Sequence, residues 1–231
     1  HGVLVRHIFR NQHLCKLLTK RGCTPYQAPK AFSSGVHMAR QEKQKSSTRP
    51  AAGGGANNDA QEMLRMHATL KQASQKLSMG DLEGAANLSR KLLQRDPVYM
   101  GALQTLGVIS LKKGDFHQAV NCFATAAAEA PDDFRSFLNL GFAWFGLKKP
   151  EMAELHLREA SRLNPDNPEV HRMLGQVAME QRAYETAVTA LRAAVEREPK
   201  NLDGIIQLAD CQVHLGNYEE AAKLLRKVHR K

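Results

Sequence analysis

The sequence carries little that chemistry could use. Its four cysteines, Cys15, Cys23, Cys122 and Cys211, include no Cys-x-x-Cys pair, and its ten histidines show no His-Glu-x-x-His or comparable ligand spacing. Neither a redox motif nor a zinc site is expected. Cys122 and Cys211 fall inside helical patterns, where a buried free thiol in a reducing compartment is the reading. No phosphate loop is present, because Gly53-Gly54-Gly55 lacks the Lys-Ser/Thr that would follow and the strand that would precede. Apolar runs stop far short of the roughly 18 residues that cross a bilayer, and no secretory signal is visible. The one tryptophan, Trp144, lies on a helical stripe and reads as core. These absences leave an enzyme without a candidate residue. No catalytic residue, metal ligand or cofactor is assigned.

What the chain does have is positive charge, and it is confined to one end. The formal net charge is +10. Residues 1–50 hold ten Lys or Arg against the single acid Glu42, a net of +9, and the other 181 residues are nearly balanced. Residues 1–40 mix Arg6, Arg10, Lys16, Lys20 and Arg21 with Leu14, Leu17 and Leu18, contain Ser and almost no acid, and reach Lys30-Ala-Phe-Ser-Ser-Gly35. That composition is the pattern of a mitochondrial transit peptide, with residues 30–35 resembling a processing site. A mitochondrial location is therefore expected, with a cytoplasmic one as the alternative. If the segment is retained, it is a basic arm suited to RNA phosphates or anionic lipid. Residues 41–60 are Gln, Lys, Ser, Pro, Ala, Gly and Asn and read as a linker.

From residue 61 onward the chain repeats itself every 34 residues. Prolines recur at Pro97, Pro131, Pro165 and Pro199, small alanines at Ala85, Ala119, Ala153, Ala187 and Ala221, and a Leu-Gly or Leu-Ala pair at Leu106, Leu140, Leu174 and Leu208. In the central unit Phe137, Leu140, Gly141 and Trp144 form one helical stripe, and Ala153, Leu157 and Ala160 form a second. Each stripe can be buried only against the other. A helical glycine costs about 1 kcal/mol relative to alanine, so its return at Gly107, Gly141 and Gly175 implies close helix approach, with alanines facing it. Repeats of about 66–97, 100–131, 134–165, 168–199 and 202–231 follow, with a first helix over 61–79. Second helices are expected at about 82–95, 116–129, 150–163, 184–197 and 218–229. Gly80-Asp81, Gly114-Asp115 and Gly216-Asn217 mark turns with a left-handed residue and a cap. Asp132-Asp133 and Asp166 read as further caps.

This pattern of aromatic or Leu, Leu-Gly, Ala and closing Pro resembles the tetratricopeptide repeat family over residues 63–231. The resemblance implies an all-α fold, a solenoid of tandem 34-residue helix-turn-helix repeats in a right-handed superhelix. It also implies a protein-binding concave face lined by the first helices. The positions beside the buried stripe are Gln104, Val108 and Leu111; Arg135, Leu138, Asn139, Phe142 and Phe145; Arg172, Gln176 and Met179; then Ile206 and Asp210. Members that grip a C-terminal carboxylate place Lys, Asn and Arg on three successive helices. Here Asn139 matches, but Glu169 and Met173 stand where Lys and Arg are needed. The expected partner is instead a helix or extended apolar segment. The function so implied is a non-catalytic scaffold or adaptor, a subunit or assembly factor of a large mitochondrial complex. The alternatives are a subunit of a mitochondrial ribonucleoprotein with its basic arm on RNA, and a helical-repeat chaperone of a bacterial secretion or assembly system.

Overall fold

The turn inside each repeat is the element from which the rest is built. The computed structural model describes residues 55–229, with side chains from Asn58 to Arg226. The expectations for residues 1–40 and 41–54, including Arg6, Arg10, Lys16, Lys20 and Arg21, lie outside the described residues. All five first helices end in the same backbone hydrogen bond, donated five residues back at 2.8–3.0 Å: Asp81 to Lys76, Asp115 to Ser110, Lys149 to Trp144, Ala183 to Ala178 and Asn217 to Gln212. This closure needs a left-handed residue just before the donor. Gly80, Gly114 and Gly216 supply it at φ 76–81°. In the third and fourth repeats, which lack the glycine, Lys148 and Arg182 adopt φ 57°. The turn geometry is thus kept, and two non-glycine residues carry the strain.

Among the described residues the result is ten α-helices and no strand. They are α1 (Gly55–Ser78), α2 (Leu82–Arg95), α3 (Met100–Lys113), α4 (Phe116–Glu129), α5 (Phe134–Gly146), α6 (Pro150–Leu163), α7 (Pro168–Glu180), α8 (Tyr184–Arg197), α9 (Leu202–His214) and α10 (Tyr218–His229). The five second helices begin and end where the punctuation places them. The first helix does not. It starts at Gly55 rather than 61, so the last six residues of the expected linker are helical. Just beyond that stretch, Glu62 accepts from Arg95 of α2 at 2.7 Å. Met63 is exposed, and the buried stripe of α1 begins at Met66.

Caps follow the same logic with two exchanges. Asp81 and Asp115 accept from the Gly84 and Gln118 amides, and Asp133 from those of Arg135 and Ser136. Asp166 does not cap; Asn167 does, accepting from Val170, because Pro168 occupies the first helical position. Asp166 pairs instead with Arg197 at 3.0 Å. Asn217 uses its side-chain amide to donate to Gln212 Oε1.

The helices fall into two compact units divided after Ile109, a point inside α3. In the first, α1 packs on α2, burying Met66, Leu92 and Ala102 with Leu70 and Tyr99 against them. In the second, every helix from α4 to α10 packs on the next, and the first helices α5, α7 and α9 also touch in turn. The recurring alanines Ala119, Ala153 and Ala187 are fully buried, and Ala221 nearly so. The side chain nearest Gly141 and Gly175 is a leucine, not the alanine expected from the pattern. A Cβ on Gly141 would lie 2.5 Å from Leu157 Cγ, and one on Gly175 would lie 2.4 Å from Leu191 Cγ. Gly204 of α9 differs, since a Cβ there meets only Val195 Cγ2 at 3.5 Å.

Among the described residues, a buried imidazole carries a nitrogen without a partner. His156 of α6 stacks on Phe137 with ring centroids 6.4 Å apart, and its Nδ1 makes no hydrogen bond. Burial alone pushes its imidazole down to about 4. Cys122 and Cys211 are free and buried, and burial raises both thiols to about 11, beyond the reach of ordinary thiolate chemistry.

Gly141→Ala should destabilise by about 1 kcal/mol, overpacking against Leu157 outweighing the gain in helix propensity. Gly204→Ala, with room for its methyl, should stabilise by up to about 1 kcal/mol, and paired denaturant melts read both signs. Arg182→Gly should add about 1 kcal/mol by relieving left-handed strain. The same change at Lys148 should gain less, because Lys148 also pairs with Glu180 at 3.6 Å. For His156, the unfolded chain takes up a proton near pH 6.5 that the folded chain refuses until about pH 4. Stability is therefore unaffected above pH 6.5 and falls as pH drops from there to about 4, by about 3 kcal/mol in all. His156→Leu should flatten that limb of a stability-against-pH curve.

Candidate functional site

A helix with one stripe buried against its partner leaves the neighbouring stripe to be read by something else. On α5 the buried stripe is Ser136, Phe137, Leu140, Gly141, Ala143 and Trp144. Trp144 is 7% exposed, so it is core as expected. Beside it, Leu138, Asn139, Phe142 and Phe145 are half-buried and Arg135 is exposed. On α7, Arg172, Gln176 and Met179 are half-buried, and on α9, Ile206 and Asp210 are exposed. Because α5 touches α7 and α7 touches α9, these three sets lie on adjacent helices of one unit. Leu111, at the end of α3, is also half-buried. Gln104 and Val108 belong to the first unit and are half-buried there. None of these side chains is fully buried.

The surface is not uniform. The 34-residue period makes Phe145, Met179 and Val213 equivalent, an apolar row across α5, α7 and α9, and Val213 is 43% exposed. The middle row changes from Phe142 through Gln176 to Asp210. Lys148 lies over the Phe145 ring at 5.9 Å and bonds Glu180 of the next repeat, so one end of the row is bordered by an ion pair.

Arg172 is less available than its position suggests. Its Nε and Nη2 donate to both carboxylate oxygens of Glu169 at 2.8 and 2.5 Å, and its side chain is 19% exposed. The Glu169 hydrogen bonds, with smaller contributions from the Asp203 and Glu198 charges, hold its pKa above the usual arginine value. The signal was present in the sequence as an acid three residues ahead of a base on one helix. Met173, at the other clamp position, is 1% exposed and belongs to the core. With Glu169 engaged and Met173 buried, α7 offers no cationic side chain at the two positions where a carboxylate grip requires one.

Sequence reading also missed the contacts that tie consecutive repeats together on this side. Phe116 packs so closely on Gly146 that a Cβ there would lie 2.4 Å from the ring, and Tyr184 stacks on His214 at 4.4 Å and 10°. Both pairs are 30 residues apart, a spacing that becomes informative only once the second helix of one repeat is known to meet the end of the next first helix. A shallow cleft lined by Pro168, Arg172, Val195, Glu198, Asn201 and Gly204 opens where Gly204 stands in the place of Val170 and Ser136. Among the described residues no three His, Cys, Asp or Glu side chains are grouped to hold a metal ion, and no helix is long and apolar enough to cross a membrane.

Comparison with known proteins agrees with the repeat geometry. Two family models, both described as tetratricopeptide repeat, match the chain, one over residues 76–140 and 178–230 and the other over residues 147–201. Tetratricopeptide repeat protein 21B of Mus musculus is 28% identical over 166 residues, which is 71% of this chain and 12% of that protein. BBSome complex member BBS4 of Mus musculus is 27% identical over 181 residues, 64% of this chain and 35% of that protein. The chain therefore spans a minor part of the length of these relatives. Among solved structures, MamA from Desulfovibrio magneticus RS-1 superposes with a TM-score of 0.66 at 19% identity, covering 71% of this chain and 93% of that one. PilF of Pseudomonas aeruginosa gives 0.63 at 23% identity, covering 69% and 72%. These likenesses show the fold alone. With repeat models accounting for all but six residues between 76 and 230, and with the helix pairs those models describe present throughout, the chain belongs to the tetratricopeptide repeat family.

Proposed function

We propose that the chain is a non-catalytic scaffold that holds a protein segment against the first helices α5, α7 and α9, as part of a larger assembly. The observation that carries this reading is the placement of Phe142 and Phe145. Both are large, both are half-buried, and the buried stripe of their helix is already filled by Phe137, Leu140 and Trp144. Apolar rings left partly in water beside a rigid helix pair are the kind of anchor on which binding energy concentrates. Membership of a multi-subunit complex is supported by the name of one relative, BBSome complex member BBS4. A mitochondrial setting rests on the composition of residues 1–40, and co-purification from the native source, with the partners identified before and after nuclease, tests it together with the ribonucleoprotein alternative.

Changing Phe142 and Phe145 together to Ser should weaken capture of the co-purified partner by about 30-fold or more, equivalent to about 2 kcal/mol. The denaturant melt of the double variant should shift far less than that of Trp144→Ala, since truncating a buried aromatic costs about 3–5 kcal/mol. If the double variant unfolds as readily as Trp144→Ala, the two rings are core and the reading fails.

A further inference from the structure

The charges on this face run in one direction, and that gradient says what kind of segment it holds. Position for position along the 34-residue period, the first turn of α5 carries Arg135, that of α7 Glu169 and that of α9 Asp203. Arg135 is exposed. Glu169 is spent on Arg172. Asp203 forms no ion pair among the described residues. Arg172, already bonded to Glu169, also feels the Asp203 and Glu198 charges to a smaller extent. Further along α9 the sign does not recover. Helix α9 contains Asp203 and Asp210 and no Lys or Arg, and the one basic group near Asp210 is the His214 ring at 4.0 Å.

The apolar part of the same helix is equally uncovered. Asp203, Ile206, Asp210 and Val213 follow one another at spacings of three, four and three, which puts them on one side of α9. All four are exposed, Ile206 at 47%. Their counterparts on α7, Arg172, Gln176 and Met179, are half-buried. A side chain that reaches Ile206 lies between Asp203 and Asp210, and one that reaches Val213 lies a turn away from Asp210. A segment bearing acids would bring like charges together in a partly desolvated contact, which costs affinity. One bearing Lys or Arg between its apolar residues would neutralise them.

We propose that the partner segment docking on this face is amphipathic and basic, with apolar side chains on Phe145, Met179 and Val213 and Lys or Arg side chains over Asp203 and Asp210 of α9. This rests on the binding face proposed above and specifies its ligand. It is the reverse of a carboxylate grip, in which the repeats supply the cations.

Two synthetic peptides of identical helical pattern, one with Leu and Lys and one with Leu and Glu, titrated into the full chain by fluorescence anisotropy, test it. The Leu/Lys peptide should bind, weaken about tenfold in the variant Asp203→Asn with Asp210→Asn, and weaken with added salt. The variant Glu219→Gln with Glu220→Gln removes the same charge from exposed positions on α10 and should leave binding unchanged. The Leu/Glu peptide should bind at least tenfold more weakly than the Leu/Lys peptide. Equal losses in the two charge variants would mean unspecific attraction to acid and overturn the proposal, as would equal binding of both peptides or binding of neither. The variant Phe142→Ser with Phe145→Ser separates the two readings. If it weakens both peptides while Asp203→Asn with Asp210→Asn weakens neither, the apolar face stands and the basic ligand is wrong. If it weakens neither peptide while the aspartate variant weakens the basic one, the acids of α9 act without the apolar face.

Discussion

A leucine seated on a glycine closes the helix pair in two repeats of the second unit. Leu157 over Gly141 and Leu191 over Gly175 bring the two helices of a pair closer than any side chain at the glycine would allow. That distance sets which stripe of each first helix is sealed and which remains open, because a helix drawn this close buries the residues that share the glycine's face. Phe137, Leu140 and Trp144 are consumed in this way, and Phe142 and Phe145 are left over. The face proposed for binding is thus a by-product of close packing. Its floor is rigid because the glycine contact beneath it cannot slide.

The left-handed residue of each turn is the second constraint, and here chemistry varies while geometry does not. Three repeats use glycine and two use a charged residue at the same backbone conformation. At Lys148 the strained position carries an amine that reaches both the Phe145 ring and Glu180 of the following repeat, which glycine could not do. Strain at that turn is exchanged for a contact at the rim of the face. At Arg182 no such contact is present among the described residues, and nothing in the structure explains the choice of residue there.

How far the sequence could be read follows from which forces are local. Prolines, glycines and capping acids act within a few residues, so the second helices could be placed to the residue, and the alanine period marked the core without any knowledge of contacts. The failures lie where a distant partner decides. Helix α1 runs back to Gly55 through a Gly-Asn stretch that local propensity does not favour. Asn167 rather than Asp166 caps α7 because Pro168 sets the frame, a local signal that was present and overlooked. The leucine-on-glycine contact pairs residues 16 apart, and the aromatic contacts at Gly146 and His214 pair residues 30 apart; neither offset has meaning until the helix pair is known. On the candidate face, periodicity found the positions, but the engagement of Arg172 by Glu169 and the change of sign toward α9 needed the geometry.

The nearest-neighbour packing of α4 to α10 also governs time. No helix in this run depends on one more than two elements away, so the loops that must close before a contact forms are short and their entropic cost is small. Such a chain has no single nucleus on which everything waits. Any adjacent pair can condense first and recruit the next. The reverse process can likewise proceed one pair at a time, each helix being released once the contacts to its immediate neighbours are lost. A segment lying across several first helices would therefore be felt as a longer lifetime of the folded run rather than as a change in its shape.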